Sequence, residues 1–434
     1  MKKRVVAIVL AAMTAASLAA CGGSGSSSAT DQTGASTDQA EASADKAEAS
    51  GEPITLSFWN GFTSGDGEVL QQIVDDFNAS NDKNITIEMD VMPWDSFNEK
   101  LPAAITAGNA PDFVLCSSGY YPPYVKENSF QDVSDFYEMD GVNADDFEEN
   151  VKDLLYYDGK CIGIPMQMVS HYFFWDKDLY EAAGLDAENG PSTWEEIVEN
   201  AKILTDKSKN QYGFNVDPAD NVVLQYALFA QGGDLCNADE TEATLNTDAA
   251  VAAISSLKEL SNYSPKDMDD NTFISGQMGQ FINGPWIISG LRENDINFGV
   301  KAVPAAEGKD PGAVVIPVGF SIPVTTSEEH KQAVYEFVKY WNTTDNCTRW
   351  TKECGTPAYL KSAEENFKDD PLTSALSVPL QYGHVACKKN GVSSFKTDVL
   401  QPMMEAVIND NADIPSTLDK YNAILQEKLD KAAQ

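Results

Sequence analysis

Positive charge is what this chain has least of for its size: 30 Lys and Arg stand against 67 Asp and Glu in 434 residues, a formal net charge of −37. That balance repels polyanions, so nucleic acid is excluded as a partner. An anionic solute would have to be met by a local cluster of Lys or Arg, and none is obvious. Histidine is scarcer still. His171, His330 and His384 lie far apart, and no cysteine pair has zinc spacing, so neither a metal nor a cofactor is expected. A Gly-x-Ser-x-Gly elbow, a His-Glu-x-x-His helix, a phosphate loop and any fixed-period repeat are also missing. Their absence removes the common hydrolase and nucleotide signatures, together with solenoids and propellers. After the N-terminus no apolar run reaches the roughly eighteen residues that a membrane-spanning helix needs.

What is present begins with an address. Met1-Lys2-Lys3-Arg4 is a charged opening, followed by an apolar and small-residue run from Val5 to Ala20 that reads as a secretory signal. It ends Leu18-Ala19-Ala20-Cys21, which resembles the lipobox of bacterial lipoproteins, with Cys21 taking up a diacylglycerol. From Gly22 to Glu52 there is no aromatic and no large aliphatic residue, so burial cannot offset ordering entropy and the segment reads as a tether. The anchor is then lipid, on the outer face of the cell membrane. Cys116, Cys161, Cys236, Cys347, Cys354 and Cys387 follow. An even number outside the cytosol permits bridges, but a body this long needs no staples, and the reading favours free thiols.

The body opens with the alternation Ile54, Leu56, Phe58, a strand ending at Trp59-Asn60-Gly61. Leu70, Ile73, Val74 and Phe77 then form one helical face, and Ile85, Ile87, Met89 and Val91 alternate again. Strand, helix, strand at these lengths predicts a parallel sheet flanked by helices. Leu101, Ala104 and Ile105 continue as a helix closed by Gly108, ahead of a buried strand over Phe113–Cys116. Ser192 with Glu195 and Thr193 with Glu196 are overlapping capping boxes that start a helix. Another runs from about Glu328 to Trp341 on the face Val334, Phe337, Val338, Trp341.

Several stretches resemble one family. Ala107-Gly108-Asn109-Ala110-Pro111-Asp112, Asp176-Lys177-Asp178-Leu179-Tyr180 with Ala183-Gly184-Leu185, Pro191 to Leu204, Ile282-Asn283-Gly284-Pro285-Trp286, and Trp350 with Gly355 and Pro357 are similar, in order, to motifs of the family 1 extracellular solute-binding proteins that deliver sugars to ABC transporters. The resemblance implies a two-lobed α/β fold of the periplasmic-binding-protein type, each lobe a mainly parallel sheet flanked by helices, with the ligand cleft between them. Carried onto this chain it implies a signal peptide over 1–20, a lipidated linker over 21–52, a first lobe over 53–165 plus 319–351, and a second over 166–318 plus 352–434.

A sugar presents apolar C–H faces and a rim of hydroxyls, so its site needs an aromatic plate and fixed polar groups. Trp286 is the leading plate, because the matching tryptophan of sugar-binding relatives stacks on a ring; the alternative is a core indole closing its turn. Trp59 and Asn60 end the first strand, where open parallel sheets bind ligands, though Trp59 could equally lie under the next helix. Trp94 and Asp95 follow the second strand, Asp95 either accepting from vicinal hydroxyls or capping a helix that begins at Ser96. Ser117, Ser118 and Tyr121 follow the third strand, where the chain departs from maltose-binding relatives. Gln167 and His171 lie at the first crossing, Gly319 and Phe320 at the second, and His384 is added from the second lobe. Trp175, Trp194, Trp341 and Trp350 read as structural.

The function expected is a monomeric, non-catalytic receptor that closes on an oligosaccharide and presents it to a transporter permease. Two alternatives stay open. One is the same fold binding glycerol phosphate, a polyamine or ferric iron, the last prompted by Tyr120-Tyr121. The other is a secreted glycoside hydrolase, which would need a carboxylate pair.

Overall fold

Residues 52–148, 151–265 and 270–432 are described by the computed structural model. The expected signal peptide, the lipidated Cys21 and all of the linker but Glu52 lie outside them. Ten strands are followed here: β1 (Ile54–Asn60), β2 (Ile85–Val91), β3 (Phe113–Ser117), β4 (Tyr156–Tyr157), β5 (Lys160–Cys161), β6 (Ile164–Val169), β7 (Tyr172–Asp176), β8 (Gln280–Asn283), β9 (Phe298–Lys301) and β10 (Ile316–Ser321).

Leu56 and Phe58 leave no surface to solvent, so the period-two pattern of β1 does place one face in a core. β1 pairs in parallel with β2 from Ile54–Ile85 to Asn60–Val91, and with β3 at Phe58–Phe113. The connecting helix, Gly65–Ser80, buries Leu70, Ile73, Val74 and Phe77 against them. Each such apolar side chain contributes about 1.5–3 kcal/mol on burial. The helix Trp94–Ala107 ends where Gly108 takes φ 74°, a left-handed cap that returns the chain to β3. β10 and β6 complete a five-stranded sheet in the order β2-β1-β3-β10-β6, with β10 antiparallel to both of its neighbours. The helix Glu328–Trp341 lays Val334, Phe337, Val338 and Trp341 on this sheet, and Phe337 packs beside Phe58, Phe113 and Phe320.

A second core is built around a three-stranded sheet of order β8-β7-β9. Both pairings are antiparallel, Phe173 facing Ile282 and Lys301, which corrects the expectation of a mainly parallel sheet in this lobe. The reason is that the run Tyr172–Asp176 is buried throughout. An uninterrupted apolar run reports burial of both faces but not strand direction. Helix Trp194–Leu204 starts from Thr193, whose hydroxyl accepts from the Glu196 N–H, while the Ser192 N–H donates to the Glu196 carboxylate. The box that forms is therefore Thr193 with Glu196. The Glu195 carboxylate instead accepts from the Glu307 N–H.

Only Ser170 and His171 separate β6 in the first sheet from β7 in the second, and the return runs through Val314 and Val315 into β10. The first crossing thus comes after Val169 rather than at Pro165, since Met166 and Met168 pack in the first core. The return comes before Ile316 rather than at Gly319. Cys354, Ala358, Tyr359, Leu360 and Ala363, expected in the second lobe, also pack in the first core. The C-terminal helix Ile414–Ala432 packs in the second through Leu418, Leu425 and Leu429.

Candidate functional site

The crossing at Ser170-His171 is held by one hydroxyl. Tyr226, on helix Asn221–Ala230, places its phenol oxygen 2.9 Å from Ser170 Oγ, 3.2 Å from the His171 N–H and 3.3 Å from the Val314 N–H. Ser170 donates onward to the Val314 carbonyl at 2.8 Å, so both crossing segments are tied to the same helix. That network fixes the His171 backbone, and with it the imidazole.

A cavity of about 440 Å³ opens beside His171, lined in part by Trp286, Asn215, Asp217, Asn283 and Lys396. A narrower space of about 130 Å³ shares His171 and Val222 with it and reaches Ser117, Ser118 and Gly119 at the end of β3. Together they form a crevice with walls from both cores. Trp286 keeps 36% of its surface exposed, unusual for an indole, and meets the His171 ring edge-on. Gly284 makes this pose available, because a Cβ there would lie 2.1 Å from the indole ring. Pro285 then opens a single helical turn, Pro285–Ile287, that carries the indole.

Residues lining the two spaces carry polar atoms without protein partners. His171 Nδ1, Asn215 Oδ1 and Gln225 Oε1 are buried and make no hydrogen bond. Burial lowers the His171 pKa to about 4, so its ring is neutral near pH 7. Asp220 caps its helix through the Val222 N–H at 2.8 Å, and Asp217 accepts from the Ala219 N–H at the same distance. Two carboxylates and one ammonium group, from Lys396, thus face a crevice whose other groups are neutral. Hydroxyls, each a donor and an acceptor, match such a lining.

The expected residues divide. Trp286, His171, Ser117 and Ser118 line the crevice. Trp59 and Trp94 are half-buried against the aromatic cluster behind β3, where Trp94 meets Phe62 and Phe97 edge-on. Asp95 is exposed in the first turn of a helix that begins at Trp94, with Pro93 at its N-cap, so it does not cap one at Ser96. Asn60 is fully buried, its Oδ1 accepting from the Phe62 N–H at 3.0 Å while Nδ2 has no partner.

Tyr121, Gln167, Gly319 and Phe320 are corrections. Tyr121 is sealed in the first lobe, 2.9 Å from Ser321 Oγ, and burial pushes its phenol pKa well up. Gly319 passes beneath it, since a Cβ there would stand 2.8 Å from that phenol oxygen; its small size serves the core. Phe320 is a core ring beside Trp341. Gln167 is buried and accepts from the Trp350 indole N–H at 2.9 Å. His384 lines neither space; it pairs with Asp234 at 3.0 Å, which raises its pKa. Trp175, Trp194, Trp341 and Trp350 are buried as structural residues. Missed were Asn215, Asp217, Gln225, Asn283 and Lys396. The Asn-Gly-Pro-Trp motif held a signal for Asn283, and the polar turn before the Asp220 cap held one for Asn215 and Asp217.

Among the described residues no group of His, Cys, Asp and Glu is gathered as a metal site, and no helix is long and apolar enough to cross a membrane.

A binding protein of Brucella abortus is 26% identical over 263 residues, covering 56% of this chain and 61% of that relative. The diacetylchitobiose-binding protein DasA of Streptomyces coelicolor is 24% identical and covers 78% of each chain. The sn-glycerol-3-phosphate-binding periplasmic protein UgpB of Agrobacterium fabrum is 21% identical over 84% of this chain and 90% of its own length. In fold, a Thermotoga lettingae ABC-transporter solute-binding protein bound with α-D-tagatose superposes with a TM-score of 0.77 at 20% identity, covering 87% of this chain and all of that one. The GacH receptor of Streptomyces glaucescens gives 0.76 at 19% identity, over 88% and 99%. The two-lobed α/β architecture is therefore that of the periplasmic binding proteins. The model described as bacterial extracellular solute-binding protein matches residues 72–375, more than half of the chain, and the protein belongs to that family.

Proposed function

We propose that the chain is the receptor of an ABC transporter, that it captures a neutral oligosaccharide in the crevice between its lobes, and that it hands this ligand uncleaved to a permease. The observation that carries the reading is the partly exposed Trp286 indole in a crevice whose lining residues include the unpartnered polar atoms His171 Nδ1, Asn215 Oδ1 and Gln225 Oε1. The indole offers a plate for the C–H face of a sugar ring, and the polar atoms offer partners for its hydroxyls. Relatives that bind diacetylchitobiose, acarbose or mannotriose support the same class of ligand. The mature protein would be a monomer held at the extracellular face of the cell membrane by lipid on Cys21. Hinging at Ser170-His171 and Val314-Val315 would exchange open and closed forms, the ligand shifting the balance by its preference for the closed one.

Calorimetric titration of the mature protein with chito-, manno- and malto-oligosaccharides tests this. Saturable binding of one series with unchanged sugar at the end supports the reading; products of cleavage, or no binding across all three, would sink it. A second reading, a phosphorylated polyol, is favoured by Lys396 in the crevice and by the UgpB relative. Asp217 and Asp220 on the same wall weigh against an anion. A ferric site on Tyr120-Tyr121 loses support because Tyr121 is sealed in the core.

A further inference from the structure

Six free cysteines are buried in the folded body. Cys116 and Cys161 direct their sulfurs to the carbonyls of Ser117 and Gly163. Cys236 and Cys387 direct theirs at each other, 3.9 Å apart, although 151 residues separate them in the chain. Both sit in turns rather than in the sheets. Cys236 bridges to Ala243 at the neck of a short loop. Cys387 holds φ 47°, a left-handed conformation uncommon for a residue with a side chain, in a turn closed by the Gly391 N–H on its carbonyl.

The surroundings of this pair tie three pieces of chain together. Lys389 and Asn390 donate backbone N–H groups to the Glu240 carboxylate, at 2.8 and 3.1 Å, which fixes the Cys387 turn on the Cys236 loop. From the same turn Lys388 Nζ reaches the Asp153 carbonyl at 2.9 Å, and from the short helix just after it Ser393 Oγ reaches the Gly119 carbonyl at 2.8 Å. Asp153 and Gly119 lie on the first-lobe side of the crossings and Cys236 on the other. The Cys387 segment is thus a piece of the second lobe that touches the first.

We propose that Cys236 and Cys387 form a disulfide in the secreted protein, clipping the Cys387 turn to the second lobe. A disulfide holds its sulfurs about 2 Å apart, so closure needs a shift of about 2 Å, within reach of side-chain rotation and a small movement of a surface turn. Two S–H bonds break and one S–S bond forms. Two electrons and two protons pass to a disulfide oxidant, a low-molecular-weight or protein disulfide that leaves as two thiols. A family that works outside the cell meets such oxidants, whereas the cytosol keeps thiols reduced. The hydrogen-bond geometry with Cys236, burial, and the carboxylates of Glu240 and Asp234 push the Cys387 thiol well above its ordinary pKa. Thiolate attack in the folded state is therefore slow, which places oxidation during folding. The clip restrains the unfolded chain across the whole intervening loop and leaves the Gly119 and Asp153 contacts free to break as the lobes part.

The test uses the full-length protein secreted from a bacterial host, denatured without reductant and labelled with a maleimide. The expected result is four labelled thiols among the six of the folded body, counted peptide by peptide and apart from Cys21, with Cys236 and Cys387 peptides linked until reductant is added. C236S and C387S should each show five labelled thiols. The reduced parent should melt at least about 3 °C below the oxidised one. Six labelled thiols in the parent, or a bridge from either cysteine to a different partner, would overturn the proposal. Because labelling is done on unfolded chain, the outcome does not depend on either variant folding, and it is separate from whether any sugar binds.

Discussion

The imidazole of His171 meets the indole of Trp286 edge-on, ring centroids 5.5 Å apart and planes at 87°. Both residues line the crevice, and the buried Nδ1 of the neutral imidazole has no protein partner. An aromatic plate of this kind supplies a large share of a sugar's apolar contact. Trp286→Ala is expected to cost about 2 kcal/mol of binding, a Kd roughly 30-fold higher, with the unfolding midpoint nearly unchanged. Titration calorimetry against the best oligosaccharide decides it; parental affinity in the variant would remove the plate from the site.

His171 also makes stability depend on pH. Its folded pKa, about 4, lies below the ordinary 6.5, so the unfolded chain binds the proton more readily. The stabilisation is present above pH 6.5 and is lost as pH falls through the folded value, about 2–3 kcal/mol between pH 7.5 and 4.5. His384 has the opposite sign. Asp234 raises its pKa, so its contribution is present below pH 6.5 and fades as pH rises through the folded value. Denaturant midpoints of the parent and His171→Gln across this range should converge toward pH 4.5. Parallel curves would contradict the assignment.

The first lobe was legible because its signals are local. Alternation in β1 and β2, the face Leu70, Ile73, Val74, Phe77 and the cap at Gly108 each depend on residues a few positions apart. What was not legible came from long-range partners. Gln167 looks like a sugar ligand until Trp350, 183 residues away, is seen to occupy its oxygen. Phe320 follows a glycine at the crossing expected from the sequence, yet the register that pairs it with Leu115 turns its ring into the core. Gln225 enters the site only because the helix Asn221–Ala230 folds against the crossing segments, and Asn215 lies in the turn region ahead of that helix. The unbroken apolar run of β7 hid its antiparallel neighbours for the same reason.

The Gly319 and Tyr121 corrections can be tested as a pair. Gly319→Ala brings a methyl to 2.8 Å from the Tyr121 phenol oxygen and 3.1 Å from Leu155, and should destabilise by about 1–3 kcal/mol. Tyr121→Phe loses one buried hydrogen bond, about 1 kcal/mol. In the double variant the oxygen that crowds the methyl is gone. Its cost should therefore fall short of the sum by about 0.5 kcal/mol or more in urea unfolding, while oligosaccharide affinity stays parental in all three. Strict additivity, or a loss of affinity in Tyr121→Phe, would return these residues to the ligand site.

Lys396 separates the two ligand classes. It is exposed and lines the crevice together with Asp217 and Asp220, and a neutral sugar gains little from its charge. Lys396→Met should leave oligosaccharide affinity within about threefold and its salt dependence flat. A phosphorylated polyol would behave otherwise, because removing the ammonium leaves two carboxylates facing a dianion. Loss of more than about tenfold in glycerol phosphate binding, steep in salt, would move the protein to the anion-binding branch of its family. Measured side by side on parent and variant, the two titrations give opposite answers for the two readings, and the acidic wall around Lys396 favours the neutral one.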